Sequence, residues 1–121
     1  MKVYQVTMLQ VPMSFNEFMG LTWPKQRREK EQWIKEFWGT CQHVPKHLKK
    51  VELYAKLYFR DERVRDSDNF SMPFWKFTRD GMMACGIIDD DNHRVARGHE
   101  PEIIIDRAKA PMSEIFIHVV E

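Results

Sequence analysis

Two periods of hydrophobic spacing divide this chain. In residues 2–10, Tyr4, Val6 and Met8 share one face, and that period of two predicts a strand. Residues 51–59 give the cleanest signal: Val51, Leu53, Ala55, Leu57 and Phe59 alternate with Glu52, Tyr54, Lys56 and Tyr58. Such a segment buries one face and wets the other. Helical spacing appears between them. Trp33, Ile34, Phe37, Trp38 and Cys41 fall on one stripe of a helix that starts near Trp23-Pro24, runs to about His43 and is stopped by Pro45. A second helix is predicted over 71–85, with Ser71 as N-cap and Phe70, Phe74, Phe77 and Ala84 on its apolar side. Gly86 stands where a helix C-terminus favours positive φ. Residues 11–22, rich in Pro, Ser, Asn and Gly, read as a loop, as do the charged residues 60–69. Ile103–Arg107 and Ile115–Val120 read as closing strands, arranged as a hairpin around Ala110-Pro111. The order β-α-β-α-β-β predicts a small α+β fold, a mixed, largely antiparallel sheet carrying two helices, in one domain over residues 1–121.

Composition narrows the function classes. The 121 residues are 43% hydrophobic and 31% charged, enough apolar surface for one core and too much charge for a membrane protein. No apolar run approaches the roughly 18 residues of a spanning helix. The N-terminus lacks the charged start and apolar block of a signal peptide, so a cytoplasmic protein with no membrane partner is expected. Cys41 and Cys85 sit in apolar surroundings and form no Cys-x-x-Cys pair, which excludes a zinc ribbon and favours two buried thiols. Phosphate-loop, dinucleotide-binding, zinc-protease and serine-hydrolase motifs are missing.

The net charge of +1 conceals a division. Residues 1–65 carry a net +6 and residues 66–121 a net −5. Basic side chains attract phosphate backbones, and clustered carboxylates hold hard cations. A metal-dependent phosphodiester enzyme needs both. The acidic residues come as Asp66-Ser67-Asp68 and Asp89-Asp90-Asp91. In an extended linker, Asp66 and Asp68 would project to the same side. Turn and capping chemistry is the commoner use of such aspartates. A helix of about 15 residues is roughly 22 Å long. The two acidic clusters therefore meet only if the chain turns back beyond Gly86 or the helix begins late. Among the aromatics, Trp23, Trp33, Trp38 and Trp75 are candidates to stack on unpaired bases, with Trp33 and Trp38 better explained as core. His93 and His99 flank acidic residues, and His118 is read as a packed or cross-strand residue.

One ordered set is more specific. Arg65-Asp66-Ser67-Asp68-Asn69-Phe70, Lys76, Asp80-Gly81 and Gly86-Ile87-Ile88-Asp89-Asp90-Asp91 together resemble the RusA family of Holliday junction resolvases. That family's pattern is a basic residue, DxDN, a helix lysine, Asp-(Ala/Gly)-(Leu/Met), then Gly, two hydrophobics, any residue and Asp-Asp. Pro12-Met13-Ser14-Phe15-Asn16 also resembles the family's P-x-S-x-N segment. The resemblance implies a RusA-like fold and a homodimeric, Mg²⁺-dependent endonuclease, with Mn²⁺ as a possible substitute. Its partner would be branched DNA, cut at four-way junctions by paired nicks that leave 5′-phosphate and 3′-hydroxyl ends in recombination and repair. It implies a phage or prophage relative. Carried over by position, Asp66, Asp68, Asp91 and Lys76 would be catalytic, and Asp66, Asp68, Asp90 and Asp91 would supply the metal ligands. The founding type of sequence places its lysine where this chain has Met72, so the match to Lys76 takes four extra residues. Arg27, Arg28, Lys30, Lys49, Arg63, Arg65 and Asn16 are the candidates for DNA contacts. The competing functions are a non-catalytic DNA-binding or phage-assembly protein of the same fold, and a nuclease for flaps, forks or RNA.

Overall fold

In the computed structural model, which describes residues 2–120, the elements run β1 (Lys2–Met8), α1 (Phe15–Met19), α2 (Trp23–Thr40), β2 (Val51–Phe59), α3 (Asp68–Ala84), β3 (Ala96–Gly98), β4 (Glu102–Ile105) and β5 (Met112–Val119). The expected α+β class holds: a five-stranded mixed sheet carries three helices. β2 is its axis. β5 pairs antiparallel along one side of β2 and is itself paired antiparallel with β1. β3 and β4 share the other side, both parallel to β2.

The period-two strands behave as their spacing requires up to Leu57; beyond it Tyr58, expected on the wetter face, is buried and Phe59 is half-buried. Val51, Leu53, Ala55 and Leu57 are buried with Val6, Met8, Ile115 and Ile117, and α2 and α3 supply Trp33, Phe37, Phe74 and Phe77 to the same core. Trp33 donates its indole N–H to the fully buried Thr78 hydroxyl at 3.2 Å, so neither polar group is left unpaired. Cys41 and Cys85 close the C-termini of α2 and α3 as buried free thiols with sulfurs 3.2 Å apart. Burial, reinforced by the Cys85 neighbour, pushes the Cys41 thiol up to about 12.

Five expectations are corrected. Residues 15–19 form a short helix inside the expected loop, because Ser14 caps it: the Ser14 hydroxyl accepts from the Glu17 amide and donates to the Glu17 carboxylate. The closing strands are no hairpin, since β2 lies between β4 and β5. A fifth strand, β3, pairs with the start of β2. Trp38 is 57% exposed, off the buried stripe, and Ala84 is exposed at the end of α3. Finally, α3 begins at Asp68 and not near Ser71, with Pro73 inside it. Its first turn is tight: the Asn69 and Phe70 amides donate to the carbonyls of Asp66 and Ser67.

Candidate metal centre

The start of α3 decides where the first acidic pair points. Between the two aspartates the chain is not extended, Ser67 having right-handed helical φ and ψ. Asp66 accepts the Asp68 amide on its own carboxylate at 3.1 Å, a turn that folds the chain into the helix. Capping chemistry and convergence therefore coexist in the same residue. The third member comes from the β3–β4 connection. Asp66, Asp68 and Glu100 each offer a carboxylate oxygen, and these oxygens lie within 4.8 Å of one another, all three residues being exposed. Glu100 also accepts a hydrogen bond from the Ser67 hydroxyl.

Glu100 is held by its neighbour. The His99 carbonyl accepts the buried Trp75 indole N–H at 2.7 Å, and the His99 amide donates to the Leu53 carbonyl at 2.9 Å. The His99 ring stacks on Tyr54 with centroids 4.3 Å apart and lies 3.1 Å from a Glu52 oxygen. Gly98 makes this possible. A Cβ there would lie 2.7 Å from the Trp75 ring, so only glycine lets β3 sit on that indole.

Three carboxylates at this spacing repel one another. Glu100 is the main cause, by charge and then by hydrogen bonding, and Asp66 adds to it; together they raise the Asp68 carboxyl above its ordinary range. An all-oxygen donor set with surplus negative charge suits a hard divalent cation, which takes oxygen ligands and retains waters. This acidic cluster can hold a metal ion.

The second acidic run lies elsewhere. α3 has 17 residues, which at 1.5 Å per residue is about 25 Å, and Asp89–Asp91 follow its far end. Gly86, with φ +76°, turns the chain there, but its carbonyl and that of Ile87 are taken by the His47 and Leu48 amides. Asp89 sits 3.0 Å from His47, and Asp90 accepts the Asn92 amide at 3.3 Å. Neither Asp90 nor Asp91 joins the carboxylate cluster among the described residues. Within one chain, Asp91 is not among the carboxylates that meet at Asp66 and Asp68 in the described residues, so the expected convergence is not seen there.

The other candidates divide. Asn16, on α1, lines a concavity of about 380 Å³ with Phe15, Asp66, Asp68 and Asn69. Arg63 lies beside Asp66 and Asn69 in an adjoining hollow and is exposed. Arg65 lines the same hollow, but its guanidinium is committed to the fold. It lies 4.0 Å over the Phe59 ring, bonds Asp61 at 2.9 Å and is 8% exposed. The Arg63 amide that Asp61 accepts, and then the Arg65 and Arg63 guanidinium groups, hold the Asp61 carboxyl below its ordinary range. Lys76 is away from the carboxylates, in a groove of about 540 Å³ between α2 and α3 with Trp23, Arg27, Lys30 and Met72. There Lys30 and Lys76 approach Asp80 at 3.0 and 3.9 Å, and Arg27 bonds Glu31 at 3.0 Å. The Asp80 Oδ2 that faces Lys30 is buried and finds no aligned hydrogen-bond donor, so this contact is Coulombic only. Arg28 and Lys49 are exposed, with no carboxylate partner among the described residues. Of the tryptophans, Trp75 is spent on the fold and Trp23 is 69% exposed. His118 packs on Tyr54 across the sheet, 4.6 Å between centroids.

No helix among the described residues is long and apolar enough to cross a membrane. No protein-family model matches this chain, and no curated protein matches it.

Proposed function

We propose that this protein is a divalent-metal-dependent endonuclease of branched DNA, with Mg²⁺ as its ion and four-way junctions as its substrate. The observation that carries the reading is the meeting of Asp66 and Asp68 with Glu100, whose oxygens lie within 4.8 Å of each other. The ordered motif around Asp66–Asn69, similar to that of RusA-type resolvases, supplies the substrate class.

Asp66, Asp68 and Glu100 would hold the cation. A bound Mg²⁺ supplies Lewis acidity at a phosphate oxygen and lowers the pKa of a water. The chain does the rest by placement. Asn16 borders the carboxylates with an amide that can donate to phosphate or sugar oxygens. Arg63 adds positive charge beside the acids, which favours a polyanion there. Lys76 and Lys30 contribute from the α2–α3 groove as backbone contacts and not at the reacting phosphate. In a homodimer, two such centres would face a roughly two-fold junction, giving paired nicks. Asp91 enters the machinery only if a second chain carries it there.

The test is cleavage of a synthetic four-way junction with Mg²⁺, beside flap, fork, linear duplex and RNA substrates. Wild type should cut the junction, and Asp68→Asn should bind it and cut at least about 100-fold more slowly, as expected when a charge-stabilising group is removed. Equal cutting by both proteins, or none by wild type, contradicts the reading.

A further inference from the structure

A second site on the molecule has chemistry that the acidic centre lacks. Lys50, His93, Arg94 and Arg97 line a concavity of about 720 Å³ together with Glu52 and Val120. All four basic side chains are exposed, and none has a carboxylate partner among the described residues. Arg28 and Lys49 are also without a carboxylate partner among the described residues, but here four basic side chains line one hollow. Arg27 is engaged by Glu31, Lys30 and Lys76 by Asp80, and Arg63 and Arg65 by Asp61. Glu52, the one acid in the lining, is already against His99.

The cations stand on ordered backbone. Arg97 lies in β3 opposite Glu52, and the Val51 amide donates to the Val95 carbonyl at 2.7 Å. The Asn92 side chain accepts the Arg94 and Val95 amides, fixing the turn that presents Arg94. The place is informative too. Arg97 is three residues before Glu100 on the same edge of the sheet, at most about 10 Å of extended chain. Three exposed cations against a single carboxylate around one hollow attract a polyanion, and planar guanidinium groups match phosphate oxygens.

We propose that Lys50, Arg94 and Arg97 form a phosphate-binding surface that holds the DNA backbone next to the Asp66–Asp68–Glu100 centre. His93 extends it when protonated. The proposal rests on the nuclease reading for its ligand, but binding and cutting can be read separately.

The experiment measures binding of a fluorescent four-way junction and a linear duplex in EDTA, across salt concentrations, for wild type and for the triple variant Lys50→Glu, Arg94→Glu, Arg97→Glu. The neutral variant Arg94→Gln, Arg97→Gln is carried alongside, with thermal melting of each, and it supplies the result should the charge reversals not fold. Each lost phosphate contact lowers the salt slope by roughly 0.9. The triple variant should therefore bind at least about 10-fold more weakly, with a slope reduced by about two to three, and the neutral pair by up to about two. Folded variants with wild-type affinity and slope overturn the surface while leaving the nuclease reading intact. Wild type that binds but never cuts with Mg²⁺ overturns the nuclease reading, and the surface stands if the variants lose affinity. Wild type that binds neither DNA overturns both.

Discussion

Both ends of α3 are flanked by clustered aspartates, and only one end brings them together. At the N-terminal end, two aspartates separated by a single serine meet a glutamate from 32 positions beyond Asp68, and all three face solvent. At the C-terminal end, three consecutive aspartates disperse. One faces His47, one caps the next turn, and the third joins no carboxylate cluster among the described residues. The denser acidic run in sequence is thus the weaker cation site in one chain. Successive residues point different ways, so a site needs side chains delivered from separate segments. Here a helix start and a strand connection deliver them.

The comparison breaks most visibly under paired substitutions. Glu100→Gln should abolish the rise in melting temperature that millimolar Mg²⁺ or Mn²⁺ gives wild type, because a ligand binding only the folded state stabilises it. Asp91→Asn should leave that rise unchanged. The reverse pattern would transfer the site to the other end of α3.

A smaller effect sharpens how Glu100 is held. Gly98→Ala forces a Cβ to within 2.7 Å of the Trp75 ring. Overpacking of this kind costs about 1–3 kcal/mol. Denaturant unfolding should report that loss, with weaker cation binding because His99 and Glu100 shift with the strand. An unchanged midpoint and unchanged affinity would detach Glu100 from the Trp75 contact.

The smallest effect is on pH. The folded Asp68 carboxyl is raised by Glu100 and then Asp66. Between its unfolded and folded pKa values the native state binds more protons, so its contribution to stability is present below the unfolded value and is lost as pH rises through the folded one. The melting temperature of Asp68→Asn in EDTA should therefore gain on wild type as pH rises from below 3.8 toward neutrality. A difference that shrinks over that range would show that Asp68 is not repelled.

Much of this architecture was legible in the sequence, and the exceptions have physical reasons. The alternation of Val51–Leu57 and the burial of Trp33 and Phe37 follow directly from strand and helix periods, while at the end of β2 Tyr58, expected on the wetter face, is buried and Phe59 only half-buried. The Ser14-x-x-Glu17 spacing was a readable N-cap signal for α1, masked by the Pro, Asn and Gly around it. The supposed hairpin failed because strand pairing depends on what is inserted between strands, and β2 occupies that place. Asp66 and Asp68 were visible as a pair, although a turn and not an extended linker brings them together. Glu100 was not visible. It lies between His99 and Pro101 in no motif, and only the parallel pairing of β3 and β4 along β2 carries it to the start of α3. The solitary cations Lys50, Arg94 and Arg97 were equally hidden, since no sequence spacing tells which arginines find carboxylates.

The central claim is that one chain holds a divalent cation between Asp66, Asp68 and Glu100. Titration of Mn²⁺ into isotopically labelled protein, followed by two-dimensional NMR, tests it most directly, because the paramagnetic ion broadens nearby amide signals. The signals of residues 66–69 and 99–101 should fade first, at low ratios of Mn²⁺ to protein, while those of 89–91 persist. First loss at 89–91, or uniform fading across the spectrum, would contradict the account.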